Sequence, residues 1–398
     1  MSSYKYSVYN SSNKTHRRNQ SSNNGRSGKR RGEYIDPARF VRVAMPQTAS
    51  EYVARHRFAD FALEPLLQTN LAAKGFGVPS PIQDQTIALA LEGKDIIGIA
   101  NTGTGKTAAF ALPILQTLIT QAHSKVLIVA PTRELAQQIE QECRSLGRGS
   151  GLTGAVLIGG TGMGSQLRDL RANPRIVIGT PGRIKDHLER GTLKLHDFNL
   201  VVLDEVDRML DMGFITDVSS ILKELAPVRQ SFFFSATLDT KVQNLIQTFS
   251  NQPETVLLKT SEGSESVNQD IVRYISPHDK MDKLNDILLK SEVAKVIVFD
   301  ETQRSVERLS NELIARGFAA DAIHGGKSQG QRQRALDRFK ASQTTILVAT
   351  DVAARGIDVA DITHVINYTQ PQSYQDYIHR IGRAGRAGKV GHALTFVG

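Results

Sequence analysis

From Ile96 onward, brief apolar runs alternate with longer segments in which apolar residues recur every three or four positions. The runs Ile96–Ala100, Val126–Ala130, Ala155–Ile158, Ile176–Gly179, Leu200–Leu203 and Ser231–Phe234 are mostly Val, Ile, Leu or Phe. Between several of them lie segments with a helical period, such as Thr107–Thr120 and Glu134–Leu146. Strands that are apolar throughout are covered by helices on both faces, so the pattern predicts a parallel α/β sheet. The alternation pauses at Thr260–Val267 (TSEGSESV), whose small, polar and acidic residues have the composition of a linker. It resumes with Val296–Phe299, Ala320–Ile323, Ile346–Ala349, His364–Tyr368 and Ala393–Val397, which predicts a second α/β sheet. The expected organisation is a tail over residues 1–50, a first domain over 51–260, a linker over 261–267 and a second domain over 268–398.

Composition narrows the class. The chain has 398 residues, 40% apolar and 22% charged, a globular balance long enough for two cores. Its longest apolar stretches are about five residues, against about twenty for a membrane span. The first residues, Met1-Ser2-Ser3-Tyr4, lack the apolar core of a secretory signal, and the single cysteine, Cys143, precludes an internal disulfide. A cytoplasmic location is expected. The sequence stops at Gly398, at or just after a predicted strand, and is expected to have been cut there.

Charge adds a partner class. Residues 1–42 carry ten Lys and Arg against Glu33 and Asp36, so the tail holds nearly all of the net +9. Its Ser, Asn, Gly and Arg content leaves too little apolar surface to offset the entropy of ordering, which predicts a disordered tail. Such a tail attracts nucleic-acid phosphates through charge alone, with strong salt dependence.

Two segments carry candidate chemistry. Ile96–Ala100 runs into Asn101-Thr102-Gly103-Thr104-Gly105-Lys106-Thr107 and then a helical pattern. Strand, glycine-containing loop, Gly-Lys-Thr and helix form a phosphate cradle, although the general pattern asks for Gly where Ala100 stands. Backbone N–H groups and the helix N-terminus face the phosphates, Lys106 reaches the outer ones, and the Thr107 hydroxyl is a Mg²⁺ ligand. About a hundred residues on, Leu200–Leu203 ends in Asp204-Glu205-Val206-Asp207. Carboxylates at the C-terminal end of a buried parallel strand stand where such sheets place ligands. Asp204 is the second expected Mg²⁺ ligand and Glu205 the base that orients water. The expected cofactors are therefore ATP and Mg²⁺.

At this point the chain resembles the DEAD-box family of ATP-dependent RNA helicases, from about Phe58 to Gly398. The motifs stand in family order: Pro81-Ile82-Gln83, Ala100–Thr107, Pro131-Thr132-Arg133-Glu134-Leu135-Ala136, Gly159-Gly160, Thr180-Pro181-Gly182-Arg183, Asp204–Asp207 and Ser235-Ala236-Thr237. The second half adds Val296–Phe299, His324-Gly325 with Gln329 and Arg332, Thr350–Asp358 and His379–Arg386. The family's loop commonly begins with Ala, which accounts for Ala100. The resemblance implies two tandem RecA-like domains of the P-loop NTPase kind.

It also implies roles. Phe76 resembles the aromatic that stacks on adenine, Gln83 the amide that reads its edge, and Phe58 the aromatic farther upstream. Thr102, Gly103, Thr104 and Gly105 complete the phosphate loop. Arg383 and Arg386 resemble the arginines that reach the γ-phosphate from the second domain, and Asp358 the ribose contact. Asp207, Ser235, Thr237, Arg355 and His379 resemble the residues that couple hydrolysis to closure. RNA contacts are implied at Pro131, Thr132, Arg133, Glu134, Gly159, Gly160, Thr180, Pro181, Gly182 and Arg183. In the second domain they fall at Gln329, Arg332, Thr350 and Asp351. Most are backbone amides, small polar groups or single arginines, suited to the sugar–phosphate chain and not to base reading.

Three positions depart from the family pattern. Val206 stands where the name-giving tetrapeptide has Ala, Ala384 where Thr is usual, and Tyr368–Pro371 lacks a common acidic residue. Both catalytic carboxylates and both arginines remain. The expected activity is RNA-stimulated ATP hydrolysis that opens short duplexes or remodels RNA–protein complexes, by a monomer. The alternative is a nucleotide-gated RNA clamp with slow hydrolysis.

Overall fold

The computed structural model describes residues 34–44, 52–101, 103–258, 266–354, 359, 361–385 and 389–398. In the first domain the strands are β1 (Ile96–Ile99), β2 (Val126–Val129), β3 (Gly154–Leu157), β4 (Ile176–Gly179), β5 (Leu200–Leu203), β6 (Gln230–Ser235) and β7 (Glu254–Leu257). They form a parallel sheet in the order β3-β4-β2-β5-β6-β1-β7. Its helices are α1 (Pro65–Ala73), α2 (Pro81–Leu91), α3 (Lys106–Thr120), α4 (Arg133–Leu146), α5 (Met163–Arg171), α6 (Pro181–Glu189), α7 (Val206–Asp211), α8 (Ile215–Lys223) and α9 (Thr240–Phe249).

The second domain has β8 (Val267–Arg273), β9 (Val296–Phe299), β10 (Ala320–Ile323), β11 (Ile346–Ala349), β12 (His364–Asn367) and β13 (Gly391–Val397). These are parallel in the order β10-β11-β9-β12-β13-β8. Its helices are α10 (Pro277–Leu288), α11 (Gln303–Ala315), α12 (Gln329–Lys340), α13 (Asp351–Ala354) and α14 (Tyr374–Ile381).

Alternation along each strand divides its side chains between two cores. On β5, Leu200 and Val202 join one cluster with Ile128, Ile178 and Phe232, while Val201 and Leu203 join another with Leu127, Val177 and Phe233. The second sheet is divided in the same way, with Ile297 and Phe299 on one face and Val296 and Val298 on the other. Both faces are dry, which is why the sequence shows unbroken apolar runs. Loops at the C-terminal ends of the strands are left to carry the chemistry.

The structure adds two strands that the pattern missed. β7 buries only Val256 of its four residues, and β8 mixes Asn268, Gln269 and Asp270 into an edge strand, so neither reads as an apolar run. The expected linker over 261–267 lies mostly outside the described residues, but Val267 is fully buried and opens β8. Only part of the expected tail is described. Within it, residues 34–44 form a 3-10 turn over Pro37–Phe40 and pack on the second domain, where Ile35 and Phe40 enter the core beside Val267 and Tyr377. Nothing in the polar sequence around them names the partner of these two anchors. Burying one phenylalanine contributes about 2–3 kcal/mol, enough to hold a segment that composition alone predicts to be disordered.

Candidate nucleotide and RNA site between the two domains

The phosphate loop is held by the residues around it. Gly105 takes a left-handed φ of 92° and ends the loop where α3 begins at Lys106. A Cβ there would stand 2.4 Å from Gln83 Nε2, so the position needs glycine for conformation and for space. Gln83 donates from Nε2 to the Gly105 carbonyl (3.1 Å) and accepts at Oε1 from the Ser80 N–H (2.9 Å). The Ser80 hydroxyl donates to the Thr104 carbonyl. Gln83 thus fastens α2 to the loop while lining the cleft beside Phe76. Lys106 is buried and donates from Nζ to the Ala100 carbonyl at 3.0 Å. Thr102 lies outside the described residues.

Phe58 is buried, with its ring edge-on to Phe76 at 5.5 Å, and it does not line the cleft. Implied as a nucleotide contact, it stands here as a packing partner of Phe76. An apolar residue seven positions before a helix gives no sign of which way it points.

The carboxylates sit at the end of β5, with Glu205 in the left-handed region (φ 53°), a strained conformation for a side chain of this size. Asp204 is pushed up to about 6 by burial, against the pull of Lys106 and with the push of Glu205. Glu205 is also raised by burial, but Arg208, Lys106 and Arg383 together bring it below the ordinary range. Arg208 holds it directly, Nη1 to Oε2 at 2.7 Å. Asp207 joins this loop to the one after β6. Its Oδ2 accepts from the N–H groups of Ala236 (3.1 Å) and Thr237 (3.0 Å) and from the Thr237 hydroxyl (3.2 Å). The Ser235 hydroxyl accepts from the Asp207 N–H.

The second domain closes the site. Arg383 lines the same cavity of about 290 Å³ as Phe76, Gln83, Lys106, Thr107, Asp204 and Glu205. His379, on α14, is held near 4 by burial and by Arg208 and Arg383, with Asp207 and Glu205 opposing. It is therefore neutral at pH 7. Arg355, Asp358 and Arg386 lie outside the described residues.

A second groove, of about 440 Å³, crosses the outer face. Pro131, Thr132, Arg133, Glu134, Gly159, Thr180, Gly182 and Arg183 line it from the first domain, and Gly325, Arg332 and Val352 from the second. At Gly160, φ is 76° and an added Cβ would meet the Arg133 guanidinium at 2.2 Å. Arg332 Nη2 pairs with Glu134 Oε1 at 2.8 Å, and Gln329 Nε2 donates to Gln137 Oε1 at 3.0 Å, so these two residues also join the domains. Glu134 Oε2, Gln329 Oε1 and Arg332 Nε are buried without a hydrogen-bond partner among the described residues, as expected where a ligand completes the set.

Five implied RNA residues do not line this groove: Gly160 and Gln329, which stand beside it, and Pro181, Thr350 and Asp351. Pro181 is buried as the first residue of α6, and Thr350 is buried at the head of α13. Asp351 holds Arg380 with both oxygens (2.6 and 2.7 Å) and borders a different cavity from the groove. The pairing across two elements was not legible in the sequence.

Residues 80–245 match the DEAD/DEAH box helicase family and residues 279–388 the helicase conserved C-terminal domain. The ATP-dependent RNA helicase CshA of Listeria monocytogenes is 44% identical over 342 residues, which span 86% of this chain and 66% of that protein. CshA of Limosilactobacillus reuteri is 43% identical over 343 residues, spanning 86% of this chain and 69% of that protein. The chain belongs to the DEAD-box family of ATP-dependent RNA helicases. Among solved DEAD-box relatives, S. cerevisiae Dbp5 bound to RNA and ADP BeF3 aligns with a TM-score of 0.76 at 29% identity, over 85% of this chain and 89% of that one. Mss116p bound to ssRNA and AMP-PNP aligns at 0.74 and 32%, over 84% and 72%.

Several residues of this DEAD-box site escaped sequence reading. Leu135, Gln138 and Glu142 of α4 line the nucleotide cleft, and Met212 and Phe214 line the outer groove. For Arg208 there was a signal, since a Glu-to-Arg spacing of three favours an ion pair on a helix.

Proposed function

We propose that the chain hydrolyses ATP in response to RNA and uses closure of its two domains to open short RNA duplexes or remodel RNA–protein complexes. The observation that carries this reading is one cavity lined by Lys106, Thr107, Asp204 and Glu205 of the first domain together with Arg383 of the second. A groove that also crosses both domains lies on the outer face. A ligand that bridges the domains in either place favours the closed state, so the two affinities are coupled. That solved relatives carry RNA together with ADP BeF3 or AMP-PNP supports assigning the groove to RNA and the cavity to nucleotide.

Hydrolysis follows from the residues present. The loop N–H groups and Lys106 hold the phosphates. Glu205, ionised at neutral pH and aimed by Arg208, orients the attacking water and takes its proton. Arg383 spreads positive charge over the transferring phosphoryl group only when the cleft is shut. We assign the same role to Arg386 and the ribose contact to Asp358. Loss of the γ-phosphate is sensed through Asp207, which ties the carboxylate loop to Ser235 and Thr237. The buried Asp204 carboxyl and the Thr107 hydroxyl border one cavity and offer the hard oxygen donors that Mg²⁺ prefers. A bound Mg²⁺ would supply charge neutralisation on the phosphate oxygens.

Arg133, Arg183 and Arg332, with the loop amides near Gly159 and Thr180, suit the sugar–phosphate chain without base specificity. We place the protein in the cytoplasm as a monomer. In support, Cys143 is a buried free thiol, and no helix among the described residues is long and apolar enough to cross a membrane.

Multiple-turnover strand separation on a short RNA duplex tests this reading. Wild type should separate many duplexes per molecule with ATP, and Glu205→Gln none. ATP-dependent RNA retention without turnover would establish the clamp instead.

A further inference from the structure

Residues 34–44 precede the first domain in sequence yet complete the second. The Arg42 and Gln269 backbones bond to each other in both directions (2.9 and 2.7 Å), which adds an antiparallel bridge to the edge of β8. The Ala44 N–H donates to Asn268 Oδ1 at 2.8 Å. Phe40 is fully buried, its ring 4.7 Å from that of Tyr377, and the Arg39 guanidinium lies 3.7 Å over the Tyr374 ring. Both tyrosines belong to α14. Tyr377 in turn donates from its hydroxyl to Gln269 Oε1 at 2.9 Å, so segment, edge strand and helix form one unit.

α14 has only two turns. A helix that short does not hold itself, and packing decides where it lies. Its face toward the segment carries Tyr374, Tyr377 and Ile381 of the core, while His379 and Arg380 border the interdomain cavity. Two residues past its end, Arg383 enters the nucleotide cleft. The same stretch of chain continues into the first domain, where Asp84 of α2 accepts from the N–H groups of Arg55 (2.8 Å) and His56 (3.1 Å), one residue after Gln83.

We propose that Phe40, supported by Arg39, is a positioning residue for catalysis: seated on Tyr377, it fixes the angle at which α14 presents Arg383 to the γ-phosphate. It touches neither nucleotide nor RNA, and the inference rests on the assignment of Arg383 made above. A misplacement of about 1 Å in a catalytic group lowers turnover by up to about a hundredfold. A truncated anchor that leaves the helix in place but loose should cost about tenfold.

The test is steady-state ATPase of the full chain, at temperatures well below its melting transition, for Phe40→Ala, Phe40→Leu and Arg39→Ala. Phe40→Ala should lower kcat about tenfold with KM for ATP within about twofold, because the ATP-binding residues of the first domain are untouched. Phe40→Leu should recover most of the loss, and Arg39→Ala should lose about twofold to threefold. A double-mutant cycle with Arg383→Ala decides between positioning and general support. Positioning requires that Phe40→Ala cost nothing further once Arg383 is gone. An equal loss in both backgrounds, or wild-type kcat per folded molecule in Phe40→Ala, overturns the proposal. If Phe40→Ala does not fold, the same cycle is run on Arg39→Ala and Phe40→Leu. If RNA stimulates not even the wild type, the helicase reading falls, and the cycle on basal hydrolysis still decides this one.

Discussion

Val206 is the residue at which the chain departs from its family's name, and its surroundings accommodate the extra methyls. The side chain is fully buried among Met209, Val218 and Leu203 in the core beneath the sheet, turned away from the nucleotide cavity. Val206→Ala is therefore expected to cost about 2 kcal/mol of stability in urea unfolding, from two lost methyls and the space they leave, with unchanged kcat. Gly160 behaves oppositely. Gly160→Ala meets Arg133 and a left-handed φ, and should raise KM for RNA about tenfold while leaving ATP binding alone. Asp204 gives a pH dependence. Its carboxyl rises to about 6 when no cation is bound, so below that pH protons compete with Mg²⁺ for it. The profile of kcat/KM for ATP should fall as pH drops through about 6 and not near 4. That the glycine loop and the Asp204–Glu205 pair come together at one cavity was legible in the sequence, because backbone conformation and charge demand those residue types at fixed spacing. Phe58 was not, since the same residue packs or binds according to neighbours that no local pattern names.

Among the elements, apolar runs gave β4, β5, β9 and β11 with their true ends, because those strands are dry on both faces. Edge strands β7 and β8, half wet, left no such trace. Pairings between elements were likewise invisible. Asp351 reads as an RNA contact from its motif, but it holds Arg380, which also donates to the Thr369 carbonyl at 2.7 Å and to Asn367 Oδ1 at 3.1 Å. Asp351→Ala leaves a buried guanidinium without its carboxylate and should cost about 3 kcal/mol, read as a loss of stability in the second domain. Weaker RNA binding with unchanged stability would restore the contact reading. Residues 34–44 teach the same lesson: Phe40 is visible as an apolar residue in a polar stretch, but only the fold reveals its fit to the second domain, together with Ile35.

At the scale of the whole molecule, neither domain holds a complete site. Lys106 and Glu205 come from one and Arg383 from the other, while Glu134 and Arg332 join across the outer groove. The two ligand sites share one closure, so RNA should tighten nucleotide binding and nucleotide should tighten RNA by the same factor. Steady-state ATP hydrolysis measured with and without single-stranded RNA, beside Arg383→Ala, tests that claim most directly. Strong stimulation of the wild type by RNA, little by matched DNA, and loss of the stimulated rate in Arg383→Ala are the predicted results. A wild-type rate indifferent to RNA, or an Arg383→Ala rate still raised by it, would contradict a site assembled by closure.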